Sequence, residues 1–326
     1  MELRLDILQV LVTALLNITF ALLVGMLLAD RALAADDPAH TQARKPLRLL
    51  GLSAACGLIA CQWLNLGLQS AAMTGTPLLD VSSQLLVVLT ESHFGAAWLL
   101  GYGAALVLLA VLITHYVRGR VLQRAAGIPA MSVGLWSLAS LCVALLALAK
   151  AAVSHAADAG DLSLPECMHW LHLCATAAWA GLVLVSAWVV VPALRDHATR
   201  AQQLFYLNGL SNSAAAAFLV VLATGSFNAW HETGGSLAGL TLSPWGHILE
   251  FKLLLMALVL VIAACNRALF LPRLIRNEAA LRTDLAAQDR FDAAYLAFSR
   301  LITLEAVFML AVLGAAAFLG HIAPVA

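Results

Sequence analysis

Residues 167–179 read CMHWLHLCATAAW, placing two imidazoles, a thioether and two thiols where a long apolar run begins. On a helix His169 and His172 are three apart and Met168 and His172 four apart, so each pair shares one side of a turn. Neutral imidazole with thioether or thiolate suits copper or zinc, and methionine tilts the set toward Cu(I), because soft sulfur donors select that ion. Hard cations prefer all-oxygen sites and are disfavoured here. Similar donors recur elsewhere: Glu91 and His93 in Glu-Ser-His-Phe, His155, His231 with Glu232 in Trp-His-Glu, His247 with Glu250 three residues on, and His321. Taken singly, a histidine such as His155 or His321 also fits an amphipathic side chain at a water boundary. His169 and His172 together, one turn inside an apolar run, need polar partners and carry the ligand reading furthest. Cys56, Cys61, Cys142 and Cys265 read as small packing residues. Cys167 and Cys174 are too far apart along one helix, about 10 Å, to bridge, so no disulfide framework follows.

The elements that must position these donors are membrane helices. The chain is 62% hydrophobic and 11% charged with a mean hydropathy of +0.91, far from the balance of a soluble domain. Apolar stretches long enough to cross a hydrocarbon core of about 30 Å run near Ile7 to Ala29, Leu47 to Gln69, Phe94 to His115 and Met131 to Ala149. They continue near Pro165 to Val191, Leu207 to Phe227, His247 to Leu271 and Phe298 to Gly320. The expectation is an all-α integral membrane protein, a single polytopic domain over residues 1–326 folded as an eight-helix transmembrane bundle. Ala-Leu-Ala at 32–34 resembles a signal cleavage site. Glu2 and Asp6 outweigh Arg4, however, and the apolar run exceeds a signal core, so this stretch reads as the first spanning helix.

Lysine and arginine set the expected orientation. They gather after the first span (Arg31, Arg44, Lys45, Arg48), the third (Arg118, Arg120, Arg124), the fifth (Arg195, Arg200) and the seventh (Arg273, Arg276, Arg282, Arg290, Arg300). The alternate loops, 70–93, 150–164 and 228–246, hold only Lys150. The basic loops are therefore placed in the cytoplasm and both termini on the periplasmic side. His40, His115 and His197 then fall inside, while His93, His155, His169, His172, His231, His247 and His321 fall at the outer face. An outer surface rich in imidazole and poor in fixed positive charge suits a cation that needs nitrogen ligands. Within the spans, Arg267 and Glu305 lie at similar depth near the inner face, which predicts an ion pair. No strong small-xxx-small face stands out to argue for a particular dimer.

The same residues carry a resemblance. HWLHLCATAAWAG at 169–181, TGSFNAW at 224–230, SPWGHILEFK at 243–252 and Asn-Arg at 266–267 resemble the copper resistance D family, CopD or PcoD. LTESHFGAAW at 89–98 and SHAA at 154–157 fit it too, and the densest part covers residues 165–275. The resemblance implies an eight-helix, multi-pass inner-membrane protein that takes copper at a periplasmic-face site and moves it across or into the bilayer. It also implies a periplasmic CopC-like copper carrier as partner, and His93, His155, His169, His172, His231 and His247 as the metal residues. Met168, Glu91, Glu232, Glu250 and His321 stand as additional or outer-shell candidates. The chain departs from the family pattern in having Trp-Ala-Gly at 179–181 where a double glycine is frequent, and in lacking a methionine-rich arm before the first span.

Two other classes fit the same histidines: a b-type haem electron carrier or oxidoreductase with outer-face ligands, and a copper sensor or docking subunit that transports nothing. No nucleophile elbow, His-Glu-x-x-His helix or phosphate loop points to an enzyme. A net charge of zero gives nucleic-acid binding no support.

Overall fold

The computed structural model describes residues 2–33, 38–126, 130–235, 243–281, 284 and 286–322; Ala34 and Arg282, which entered the sequence reading, lie outside them. Its helices in chain order are α1 (Glu2–Ala32), α2 (Pro38–Thr74), the short α3 (Leu85–Glu91), α4 (His93–Ala126), α5 (Val133–Ala151) and α6 (Leu164–Val185). There follow α7 (Val191–His197), α8 (Arg200–Glu232), α9 (Pro244–Cys265), α10 (Leu271–Ala280) and α11 (Ala287–Leu319). Among the described residues eight continuous helical stretches are long and apolar enough to cross a bilayer, two of them built from the pairs α6–α7 and α9–α10. In each pair the join is one wide π turn, Ser186–Val190 or Asn266–Phe270, with a proline, Pro192 or Pro272, just after it. Proline removes one backbone donor and clashes with the carbonyl a turn earlier, and widening the turn lets the helix continue.

Helix starts follow side-chain caps. Ser163 accepts from the Glu166 amide to open α6, Thr199 and Gln202 close a capping box on α8, and Ser243 accepts from the Gly246 amide to open α9. The bundle has a histidine end, where α6 and α9 begin, and an arginine end, where α1 and α4 finish. At the arginine end Arg290 and the Ala286 amide hold the Asp284 carboxyl below the usual carboxylate range, fastening the turn before α11.

The stretch containing α6 is the centre of the bundle: 72% of its apolar window is buried, against 17% for α8 and for α9–α10. It packs on α1, α8, α5 and α11. Lipid is as apolar as leucine, so close van der Waals contact and buried hydrogen bonds must hold these helices. The α1–α6 crossing shows how close they come. A Cβ on Gly25 would stand 2.1 Å from the Gly181 carbonyl oxygen, and one on Gly181 would stand 2.1 Å from the Ala21 oxygen. Ala21, Gly25 and Gly181 thus form a small-residue crossing between two spans of the same chain.

Two further expectations change. Arg44 and Arg48 are not loop residues; they lie buried in α2, where Arg44 faces Asp30 at 3.6 Å and donates to the Leu33 carbonyl at 2.8 Å. Asp30 in turn accepts from the Met131 amide at 2.9 Å, tying α1, α2 and the entry to α5 together. The predicted Arg267–Glu305 pair does not form. Arg267 is exposed and donates to Ser211 Oγ at 2.8 Å and Asn212 Oδ1 at 3.0 Å on α8, while Glu305 is buried on α11. Equal depth brings two residues together only when they also face one another.

Candidate metal centre

His169 and His172 lie on α6 just inside its capped start, with ring centroids 6.5 Å apart and ring planes 28° apart. Helix α8 runs alongside and receives both. Thr224 Oγ1 is 3.0 Å from His172 Nδ1, Asn228 Nδ2 is 3.3 Å from His169 Nδ1, and Gly225 leaves room, since a Cβ there would meet His172 Cε1 at 3.1 Å. Thr224 and Gly225 each share a face of α8 with Asn228, which lies four and three residues further on.

These contacts fix proton positions. Thr224 Oγ1 donates to the Val220 carbonyl at 2.6 Å, so toward His172 it accepts, which puts the ring proton on Nδ1 and leaves the Nε2 lone pair free. At His169 the Asn228 amide decides. With its nitrogen toward Nδ1 the proton sits on Nε2; turning the amide over presents oxygen, moves the proton to Nδ1 and frees Nε2. The Val221 backbone is a further partner of the His172 ring, and among the described residues His169 Nε2 has no hydrogen-bond partner.

The surroundings carry charge that the loop count did not show. Lys150, at the end of α5, and Lys252, on α9, both act electrostatically on His169, and Lys252 also on His172. Lys150 Nζ donates to Asn17 Oδ1 on α1, and Asn17 Nδ2 donates to the Leu313 carbonyl on α11 at 3.3 Å. Glu232, at the end of α8, is the acidic neighbour of Lys252, His155 and His231. The pair on α6 thus has polar partners on α8 and electrostatic neighbours on α5 and α9.

The other candidates lie apart, toward the histidine-end surface. His93 Nε2 is 3.1 Å from Asp161 Oδ1, His155 Nδ1 is 3.6 Å from Asp158 Oδ2, and His247 Nδ1 is 3.6 Å from Glu250 Oε2; all three histidines are more than half exposed. His231 stacks on Phe227, and His321 Nδ1 meets the Ala317 carbonyl at 3.1 Å. Glu91 is exposed at the end of α3, and Met168 is half-buried beside His169. Among the described residues no group of three or more His, Cys, Asp and Glu side chains is gathered around one point. Sequence reasoning missed Thr224 and Gly225 as ring partners, although TGSFN carries a polar Thr, Gly, Asn face inside an apolar span, and missed Lys150 and Lys252 as the electrostatic neighbours of the pair.

Comparison with known proteins places this architecture. Residues 204–319 match the family model described as copper resistance protein D, and residues 4–164 match that of the copper resistance protein D-like N-terminal domain. Inner membrane protein YebZ of Escherichia coli strain K12 is 30% identical over 239 residues, 72% of this chain and 75% of YebZ. The chain belongs to the copper resistance protein D family. No solved structure matches it. As a member of that family with eight membrane-capable helices, it is a copper-related, multi-pass protein of the inner membrane. Residues 165–203, including the helix with His169 and His172, lie between the two matched ranges, so in this copper resistance D protein the case for the pair rests on its geometry.

Proposed function

We propose that the chain accepts copper at His169 and His172 from the periplasmic side and moves it across or into the membrane. The observation that carries this reading is the pair itself: two rings on one helix face, each with Nδ1 held by a side chain of α8. Outer-shell contacts of this kind orient imidazoles for metal and set their tautomer. Positive charge gathered at the other end orients the bundle, with both termini and the histidine end periplasmic. There His93, His155, His231, His247 and His321, with Glu91, Glu232 and Glu250, form a reception surface for a CopC-like carrier, and Met168 adjoins the pair. The chemistry is ligand exchange, and no enzymatic step is assigned.

The test is elemental analysis with an absorption spectrum on full-length protein from copper-supplemented cells, beside a His169→Ala, His172→Ala variant. Copper at about one equivalent that falls in the variant is expected, as two imidazoles supply a copper site. Copper that stays unchanged in the variant would remove the pair from the site. A Soret band with little copper would turn the same histidines into haem ligands.

A further inference from the structure

Glu305 stands alone. It is 5% exposed on α11, and among the described residues it has neither a hydrogen bond nor an ion pair. An ionisable side chain inside a membrane bundle is costly, and one without a partner marks a functional position. Asn266 repeats the pattern: it is 5% exposed at the start of the second π turn, and both its amide atoms are buried without a partner. A buried amide forgoes its hydrogen bonds at a cost comparable to that of an unmade pair. The two residues belong to one seam, because α9 and its π turn pack on α11.

Asn266 continues the buried face of α9 formed by Leu255, Val259 and Ile262, and α9 packs on α11, which carries Glu305. Counted from the connection between α10 and α11, Asn266 and Glu305 differ in height by about one turn. Met309 lies one turn from Glu305 on the same helix and is fully buried.

Depth places this group below the histidines. Lys150, an electrostatic neighbour of His169, reaches Leu313 of α11 through Asn17. Glu305 is therefore about 12 Å further along α11 than the level of that carbonyl, and Met309 lies between. At the arginine end Tyr295 Oη donates to the Val191 carbonyl at 2.8 Å, tying α11 to the start of α7.

We propose that Glu305, Asn266 and Met309 form a second site, an inward stop for the monovalent copper ion accepted at His169 and His172. It rests on the copper reading above and supplies the step beyond the outer pair. The thioether is the soft donor, the carboxylate cancels the ion's single charge in a medium that stabilises no net charge, and the amide oxygen completes the ring of donors. Copper arrives and leaves as Cu(I), so no electron is exchanged.

The experiment titrates full-length protein in detergent with silver(I), a monovalent soft probe, and counts bound metal after dialysis. Wild type is compared with Glu305→Gln, Met309→Leu and His169→Ala, His172→Ala. The six cysteines are common to all, so only differences between variants are read. Glu305→Gln and Met309→Leu should each lose about one equivalent and the histidine variant a different one, so that combining Glu305→Gln with the histidine changes loses about two. Equal binding by Glu305→Gln, Met309→Leu and wild type would overturn the second site. Loss in the histidine variant alone would then leave the outer pair standing, and loss in Glu305→Gln alone would keep the inner site while removing the outer one. Glu305→Gln keeps shape and volume, and a thermal melt matching wild type shows that lost metal is not lost fold.

Discussion

Thr224 donates to Val220 and so accepts from His172, which leaves His172 Nε2 poised for metal with no rearrangement. His169 needs its Asn228 amide turned over to do the same. The two rings are therefore unequal, and Thr224→Val should cost more than Asn228→Leu. Loss of such a contact lowers metal affinity by about ten- to a hundred-fold, and competition against a chromophoric Cu(I) chelator measures it. Affinity unchanged in both variants would mean that the rings do not ligate. Lys252 acts the other way. An ammonium group near a bound cation repels it, so Lys252→Met should tighten copper binding about ten-fold; weakening would make the amine a ligand. The histidines could be read from residue type and spacing alone. Thr224, Gly225 and Lys252 could not be placed beside them, since each lies on another helix and no spacing along the chain records which faces meet.

At the scale of elements the glycine crossing of α1 and α6 fixes the height and tilt of the helix that carries the pair. A methyl group on Gly181 would press on the Ala21 carbonyl, which is backbone and has nowhere to go. Gly181→Ala should destabilise the bundle by about 1–3 kcal/mol through overpacking and lower the melting temperature in detergent. Gly209→Ala on α8, where a Cβ would meet nothing within 4 Å, is the control for a general effect of the added methyl. A crossing that tolerates Gly181→Ala without loss would mean that α1 stands further from α6 than its glycines imply. The eight spans were legible because 62% apolar composition broken by polar loops leaves few other readings. Their ends were less so. The run taken as a basic loop after the first span contains α2 from Pro38, and Arg44 and Arg48 can enter the bundle because Asp30 waits there. The Arg267–Glu305 expectation failed for a related reason: the π turn at Asn266–Phe270 shifts the helical phase, so Arg267 faces α8 and not α11.

For the whole molecule, orientation decides what the site can receive. Arg44 is matched to Asp30, Arg200 to Asp292 and Arg290 to Asp284, so these are structural contacts as much as signals of sidedness. Among the described side chains, discounting them leaves Arg31, Lys45, Arg48, Arg118, Arg120, Arg195, Arg267, Arg273, Arg276 and Arg300 toward one end, against Lys150 and Lys252 turned into the bundle at the other. The positive-inside bias survives the discount. Alkaline phosphatase fused after His321 should therefore be active, since that enzyme matures only outside the cytoplasm, and the same fusion placed between His197 and Arg200 should be inactive. The reverse pattern would put His169 and His172 within reach of cytoplasmic copper and out of reach of a periplasmic carrier. The donor set would stand, but the direction of loading would invert, and the inner stop at Glu305 would become the point from which copper leaves toward the periplasm.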